Sequence, residues 1–326
     1  MTHNRRVKIV YVLFAQPWEL FLTEQGVSAT QVFGPARPVV MRSNEETLAY
    51  LRQSLRSFLA HNPERQYDIE VALVELTATN DAMAAAVEAL VAGERREGAS
   101  VQVVRIPRTA IEHLLAVELK CNSGHASPNK IHEFVLFDAM QRCESKYLYV
   151  SDIDTLYFGQ GFVSWCEDLL TQGNKAVCAF VDRTSGKTHY APDRMHTVSL
   201  FINMERLRSV IDLPREQDAI LDFDGRLARL TDRREKNYFL TARRRDTLSF
   251  LTSSLRHDFG DDLVVAFNDT SSFYFEDGLL VLGNEYLVHG KYFYQQIREI
   301  IARNYAGTGP LEFALQPLLQ GLAVAD

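Results

Sequence analysis

The sequence contains no apolar run near the ~20 residues that a membrane-spanning helix needs. It has no excess of basic residues either, because 35 lysines and arginines stand against 42 acidic residues. The resulting net charge of -7 argues against general nucleic-acid binding, which usually requires a basic surface. The N-terminal apolar stretch breaks at Gln16 and Pro17 without a small-residue cleavage site, so we expect no signal peptide.

Cysteine is scarce, and the four thiols (Cys121, Cys143, Cys166 and Cys178) show no CxxC spacing. The sequence therefore predicts no zinc site. The even number of cysteines does not imply disulfides in a chain this large, and a reducing cytoplasm is the expected location. Apolar residues are plentiful: 46% of the 326 residues are hydrophobic, enough for a large core. Because neither a repeat nor a clean linker is visible, we predict one domain over residues 1–326.

Apolar runs and helical spacings alternate through the first two thirds of the chain. Strands are predicted at 7–14, 67–76, 101–106, 147–152 and 175–182, and helices at 45–61 (with Asn44 as N-cap), 81–97 and 127–143. Residues 16–43, rich in Gly, Pro and Ser, are predicted to be a loop or an insertion. This order predicts an α/β fold with a mostly parallel mixed sheet and helices on both faces. In such sheets ligands bind beyond the carboxyl ends of the strands.

The strongest local signal is the segment KYLYVSDIDTLYF, in which an apolar strand runs directly into Asp152 and Asp154. Two close carboxylates repel each other, so a pair at the end of a buried strand is most simply explained by a bound cation. Carboxylate oxygens suit Mg²⁺ or Mn²⁺, and such sites are often completed by substrate phosphates. The alternative explanation is a polar strand end with a solvated turn.

The segment resembles the DxD motif of the GT-A fold glycosyltransferases, most closely the retaining family 8 type, which includes glycogenin and bacterial galactosyltransferases. Further segments resemble that family in the same order, namely residues 54–63 (SLRSFLAHNP), 198–207 (VSLFINMERL), 216–221 (EQDAIL) and 286–292 (YLVHGKY). The resemblance implies a nucleotide-binding half (7–158), an acceptor-binding and metal-completing half (159–326), and transfer of a hexose from a UDP-sugar to an unidentified acceptor.

The resemblance also implies roles for single residues. His289 would be the third protein ligand of the metal, beside Asp152 and Asp154, and Lys291 would approach the diphosphate. This chain has His289-Gly290-Lys291 in place of the longer family spacing. The remaining donor-site residues implied by the family lie after the first strands or on the helix before the DxD segment: Phe14, Ala15, Glu75, Thr77 and Lys130.

Gln217 and Asp218 match the family segment that faces the transferring sugar, so the resemblance implies that they are the catalytic candidates. An inverting enzyme would also need a general base near the acceptor hydroxyl. The carboxylates that remain open for that role are Asp218, Asp224, Glu276 and Asp277. The structural alternatives for these donor and transfer residues remain plain strand ends, a surface lysine at position 130 and a solvated helix start.

The segment 224–246 carries eight basic and four acidic residues, a local charge of 8 − 4 = +4. It suits an anionic or lipid-linked acceptor or a membrane surface, and a solvated helix face is the alternative. The apolar tail spans residues 311–325. Two alternatives remain for it, which are packing on its own domain and packing on a second copy of the chain.

Three rival functions are weighed against the glycosyltransferase. A haloacid dehalogenase-type phosphatase needs DxDxT, whereas Thr155 follows Asp154 directly and the motif lies in the middle of the chain. A nucleotidyltransferase needs a glycine-rich loop after the first strand, which is absent here. A non-catalytic sugar- or partner-binding module of the same fold is the third alternative, and the presence of Asp152, Asp154 and His289 argues against it.

Overall fold

The computed structural model of the chain describes residues 6–15, 18–28, 31, 43–76, 81–95, 99–121, 128–157, 160–182, 194–222, 225, 228, 231, 251, 255, 263–266, 272–274, 280–282 and 287–289. The elements in chain order are β1 (Arg6–Phe14), α1 (Trp18–Glu24), α2 (Asn44–His61), β2 (Gln66–Val74), α3 (Asp81–Glu94), β3 (Ser100–Ile106), α4 (Arg108–Cys121), α5 (Pro128–Arg142), β4 (Tyr147–Ser151), β5 (Thr155–Tyr157), α6 (Phe162–Gln172), β6 (Val177–Asp182), β7 (Arg194–Asn203), α7 (Met204–Arg208), α8 (Leu213–Leu221), β8 (Val264–Ala266), β9 (Ser272–Tyr274), β10 (Leu280–Leu282) and β11 (Leu287–His289).

Seven of the described strands form one sheet, in the order β3-β2-β1-β4-β7-β6-β8. The pairs β3–β2, β2–β1, β1–β4 and β6–β8 are parallel, and β7 runs antiparallel to both of its neighbours. The carboxyl ends of β1, β2, β3 and β4 therefore lie at one edge of the sheet. The predicted α/β fold with a mostly parallel mixed sheet is confirmed.

The central strand β1 is buried on both faces, as its continuous apolar sequence predicts. Alternate side chains enter two separate cores. Val10 and Val12 pack in the core that contains Val135 of α5, and Ile9 and Tyr11 pack in the core that contains Phe58 of α2. Helices thus cover both faces, and each buried aliphatic side chain contributes about 1.5–3 kcal/mol to stability.

The start of α2 and the end of α3 differ from the prediction for identifiable reasons. The N-cap of α2 is Ser43 and not Asn44, because Ser43 Oγ accepts from the backbone N–H of Glu46 while Glu46 accepts from the N–H of Ser43. This reciprocal pair satisfies two helix-end donors and fixes the start one residue earlier. Helix α3 ends at Glu94 and not at residue 97, since Val91 is its last buried residue and apolar packing no longer supports the helix beyond it.

Five described helices were not predicted, namely α1, α4, α6, α7 and α8. Helix α1 lies inside the predicted loop 16–43 and spans only seven residues, with Phe21 and Leu22 buried. Helix α4 did carry a signal, because its buried residues Ile111, Leu114, Leu115 and Glu118 have the spacing of one helical face. Helix α6 follows β5, and α7 and α8 follow β7.

A buried ion network crosses from β1 and β2 to the end of α5. Lys8 Nζ lies 2.5 Å from Glu70 Oε2, and Arg142 Nη1 donates to both Glu70 oxygens at 2.8 and 2.9 Å. Arg142 also donates to Asp138 at 2.7 Å. Because the Glu70 side chain is 1% exposed, its charge depends on these two cations.

A second sheet of four strands, β5-β11-β10-β9, is antiparallel throughout. It connects the segment that follows β4 to strands from late in the chain. Within the described part of the chain, no helix combines the length and the apolar character that crossing a bilayer would require.

Candidate metal and donor site

Asp152 and Asp154 lie on the short turn between β4 and β5, at the carboxyl edge of the large sheet. We call residues 152–154 the aspartate turn. Both aspartates are half-buried. The carbonyl of Asp152 accepts two hydrogen bonds, from Thr155 N at 3.2 Å and from Ser151 Oγ at 3.1 Å. The backbone of the turn is therefore held by the residues on either side of Asp152, and both aspartates are partly desolvated.

The strand that contains His289 reaches this turn. β11 pairs with β5 so that His289 is directly opposite Thr155, the residue after Asp154. Opposed residues in an antiparallel pair have Cα atoms about 4.5–5.5 Å apart. The backbone of residue 289 therefore lies beside the aspartate turn, and its side chain is outside the described part. Among the side chains that are described, no three His, Cys, Asp or Glu residues are placed to hold a metal ion.

Helix α5 brings a histidine to the same edge. The ring of His132 packs edge-on against Phe14 with the centroids 6.1 Å apart. Burial lowers the pKa of His132, and the negative charge of Asp152 opposes that shift. Asp152 and His132 therefore interact electrostatically. Sequence reasoning missed His132, and its only signal was its position two residues after Lys130 on a helix that precedes the DxD strand.

Lys130 is one of the largest fully buried side chains, with 1% of its surface exposed. Its Nζ lies 2.8 Å from Glu133 Oε2, and the Glu133 carboxylate is completely buried. The alternative of a plain surface lysine is wrong, since the charge is neutralised inside the protein. The predicted contact of Lys130 with the donor stays a prediction.

The strand-end candidates have different surroundings. Phe14, at the end of β1, is half-buried beside His132, and Ala15 is fully buried with its N–H donating to Val74 O at 3.1 Å. Glu75, after β2, forms an ion pair with Arg105, which also contacts Asp81 at 2.7 Å. A ribose contact by Glu75 therefore competes with that arginine.

The catalytic candidates lie on α8, which packs against α5. Both ends of the Gln217 amide are engaged: Nε2 donates to Phe134 O at 3.1 Å, and Oε1 accepts from Gln141 Nε2 at 2.6 Å. Asp218 is exposed. The structure thus places Gln217 in a helix–helix contact, and a contact with substrate would require these bonds to break. Its catalytic role stays a prediction.

Several predicted residues lie outside the described part of the chain. They include two donor-site residues, the glycine beside one of them, two candidate bases and every basic residue of segment 224–246: Thr77, Gly290, Lys291, Glu276, Asp277, Arg226, Arg229, Arg233, Arg234, Lys236, Arg243, Arg244 and Arg245. Asp224 is outside it as well.

No protein-family model and no curated protein matches the chain. Among solved structures, the galactosyltransferase LgtC, solved with donor and acceptor sugar analogues, has a TM-score of 0.44 and 14% identity, covering 80% of this chain and 73% of that one. Mouse xyloside xylosyltransferase 1 has a TM-score of 0.43 and 12% identity, covering 81% and 85%. The bifunctional glycosyltransferase WbbM has a TM-score of 0.40 and 11% identity, covering 82% and 40%. Values this low transfer no activity, so function rests on the residues of the site.

Proposed function

We propose that this chain is a metal-dependent glycosyltransferase of the GT-A type that moves a hexose from a UDP-sugar to an acceptor. The observation that supports it most directly is the aspartate turn at the carboxyl edge of the sheet, with β11 bringing the backbone of His289 beside it. Ligands of parallel α/β sheets bind at this edge.

The residues at the turn fit a divalent cation. Asp152 and Asp154 supply hard oxygen ligands, and an imidazole from His289 suits Mn²⁺ better than Ca²⁺. Without a cation the two half-buried carboxylates would repel each other. A bound Mn²⁺ or Mg²⁺ supplies Lewis acidity to the diphosphate leaving group, which gains negative charge as the anomeric bond breaks.

The surrounding side chains have tasks that follow from their placement. The ring of His132 packs edge-on against the half-buried ring of Phe14 and interacts with the charge of Asp152. Lys130 is paired with Glu133, and the pair carries no net charge. We therefore assign the contact with the diphosphate to the metal and Lys291 and not to Lys130. Asp218 is exposed on α8, whereas the Gln217 amide is engaged by α5, so we assign the transfer step to Asp218 before Gln217.

A thermal-shift panel tests this proposal. UDP-, GDP- and TDP-sugars are added with and without Mn²⁺, and we expect a metal-dependent rise in Tm with a UDP-sugar. The rise should vanish in Asp152→Asn and Asp154→Asn. Asp168→Asn is the matched control because Asp168 is an exposed aspartate on α6. An equal rise in all three variants would contradict the proposal.

Turnover distinguishes the enzyme from a non-catalytic module with the same fold. A transferase releases UDP from the donor in a metal-dependent reaction, slowly with water and faster with an acceptor. Metal-dependent binding without any release of UDP would assign the chain to the binding module.

A further inference from the structure

A buried tyrosine connects the two sides of the aspartate turn. The hydroxyl of Tyr157, on β5, is 2.8 Å from Ser151 Oγ, on the last residue of β4. The backbone N–H of Tyr157 donates to Ser57 Oγ of α2 at 3.1 Å. One residue therefore ties the strand before the turn, the strand after it and the helix behind both.

These contacts belong to a longer chain of buried hydroxyls. Ser151 Oγ has one proton and donates it to the carbonyl of Asp152 at 3.1 Å. The hydroxyl of Tyr157 is hydrogen-bonded to Ser151 Oγ and to the hydroxyl of Tyr149, and Tyr149 is hydrogen-bonded to Ser199 Oγ at 3.1 Å. The chain of hydroxyls ends on the backbone of the first metal-binding candidate.

Water cannot replace these contacts. Tyr157 is fully buried, and Ser57 and Ser151 are each 1% exposed. Burial raises the pKa of Tyr149 and of Tyr157, so both hydroxyls keep their protons at neutral pH and remain donors. A buried donor that loses its acceptor keeps its full desolvation cost, which makes the arrangement rigid.

The same residue sets the strand that pairs with β11. Tyr157 is opposite Leu287, two residues along β5 from the Thr155–His289 pair. The residue that contacts Ser151 and Ser57 therefore lies in the same strand pair that brings residue 289 beside the aspartate turn.

We infer that Tyr157, through Ser151 and Ser57, is a positioning residue that holds the aspartate turn in the geometry that a divalent cation requires. This inference rests on the proposed function. It adds that the cation affinity of the turn depends on a hydroxyl network in the core that never touches the cation.

The test compares two tyrosine hydroxyls. Tyr157→Phe removes the network contact, and Tyr67→Phe is the matched control. Tyr67 is also buried and also packs against Phe58, with both ring centroids 5.0 Å away, but its hydroxyl donates to Asn62 O at 3.1 Å, away from the turn. Mn²⁺ binding with saturating UDP is measured by calorimetry, and unfolding by urea.

We expect Tyr157→Phe to weaken Mn²⁺ binding by about 10-fold to 100-fold, the range for residues that orient metal ligands. Tyr67→Phe should lose similar stability and keep wild-type Mn²⁺ affinity. Ser151→Ala should weaken Mn²⁺ binding by a similar factor, and the double variant should lose no more than either single one, because the two hydroxyls act in series. If Tyr157→Phe does not fold, the Mn²⁺ affinity of Ser151→Ala tests the inference in its place.

The outcomes separate this inference from the proposed function. Equal Mn²⁺ affinity in the wild type, Tyr157→Phe and Ser151→Ala would overturn the inference and leave the proposed function intact. A wild type that binds no Mn²⁺, with or without UDP, would overturn both.

Discussion

Thr155 and His289 are opposite each other across the antiparallel pair of β5 and β11, and Asp154 immediately precedes Thr155. The pairing brings a late strand to the turn after β4. The proposed metal site depends on this relationship, because it brings the backbone of residue 289 beside the two aspartates as the candidate third ligand position.

Replacing His289 by Ala is expected to remove most of the stabilisation that metal and nucleotide give. Ligand at about 100 times its Kd stabilises a protein by about 2.7 kcal/mol, so the loss is visible as a smaller Tm shift with Mn²⁺ and UDP. His113→Ala is the control, since His113 is exposed on α4. Identical Tm shifts in the two variants would remove His289 from the site.

Glu70→Ala is expected to lower the free energy of unfolding by about 3–5 kcal/mol, because it leaves Lys8 and Arg142 without their buried partner. Asp68→Ala, two residues earlier on β2, breaks the more exposed pair with Arg6 and should cost no more than about 1 kcal/mol. Urea denaturation measures both. Equal losses would show that the Glu70 network is not buried as described.

Most thiols should be unreactive in the folded protein. Cys143, Cys166 and Cys178 are buried, and burial raises the pKa of the Cys143 and Cys166 thiols. Their reactive thiolate forms therefore stay rare even in a solution at pH about 8.5, where an ordinary thiol is half ionised. A colorimetric thiol reagent should label at most one thiol quickly in the native state and four after unfolding. Cys121→Ser should leave no fast thiol, and a fast thiol in that variant would contradict the described core.

Gln217→Ala is expected to lower the free energy of unfolding by about 1–2 kcal/mol, since two hydrogen bonds to α5 are lost at about 1 kcal/mol each. Asp218→Asn should leave stability unchanged because Asp218 is exposed. Urea denaturation gives the stability and steady-state kinetics give kcat. A stable Gln217→Ala protein with a strongly reduced kcat would show that Gln217 faces substrate and not α5.

The sequence was sufficient for the fold class. The apolar run of β1 predicts burial on both faces, and the structure places its alternate residues in two cores. Helix α4 was missed although Ile111, Leu114 and Leu115 have helical spacing. The sequence therefore contained enough information to predict this helix. The cap of α2 was misplaced by one residue because Ser43 and Asn44 are both good caps, and only the position of Glu46 decides between them.

The candidate site was predictable only in its local part. Asp152 and Asp154 are adjacent to a strong strand signal, whereas the contacts that support them are distant in sequence. The contact of Tyr157 with Ser57 and the pairing of β5 with β11 depend on tertiary packing, which no local pattern encodes. His132 likewise becomes a candidate only when α5 is seen beside Asp152 and Phe14.

The most direct test of the central claim is the release of UDP from a UDP-sugar by the purified chain, followed with Mn²⁺ and with a chelator. The account predicts release that requires Mn²⁺ and is lost in both Asp152→Asn and Asp154→Asn, with Asp168→Asn unaffected. Release that persists in the chelator, or that survives both substitutions, would contradict it.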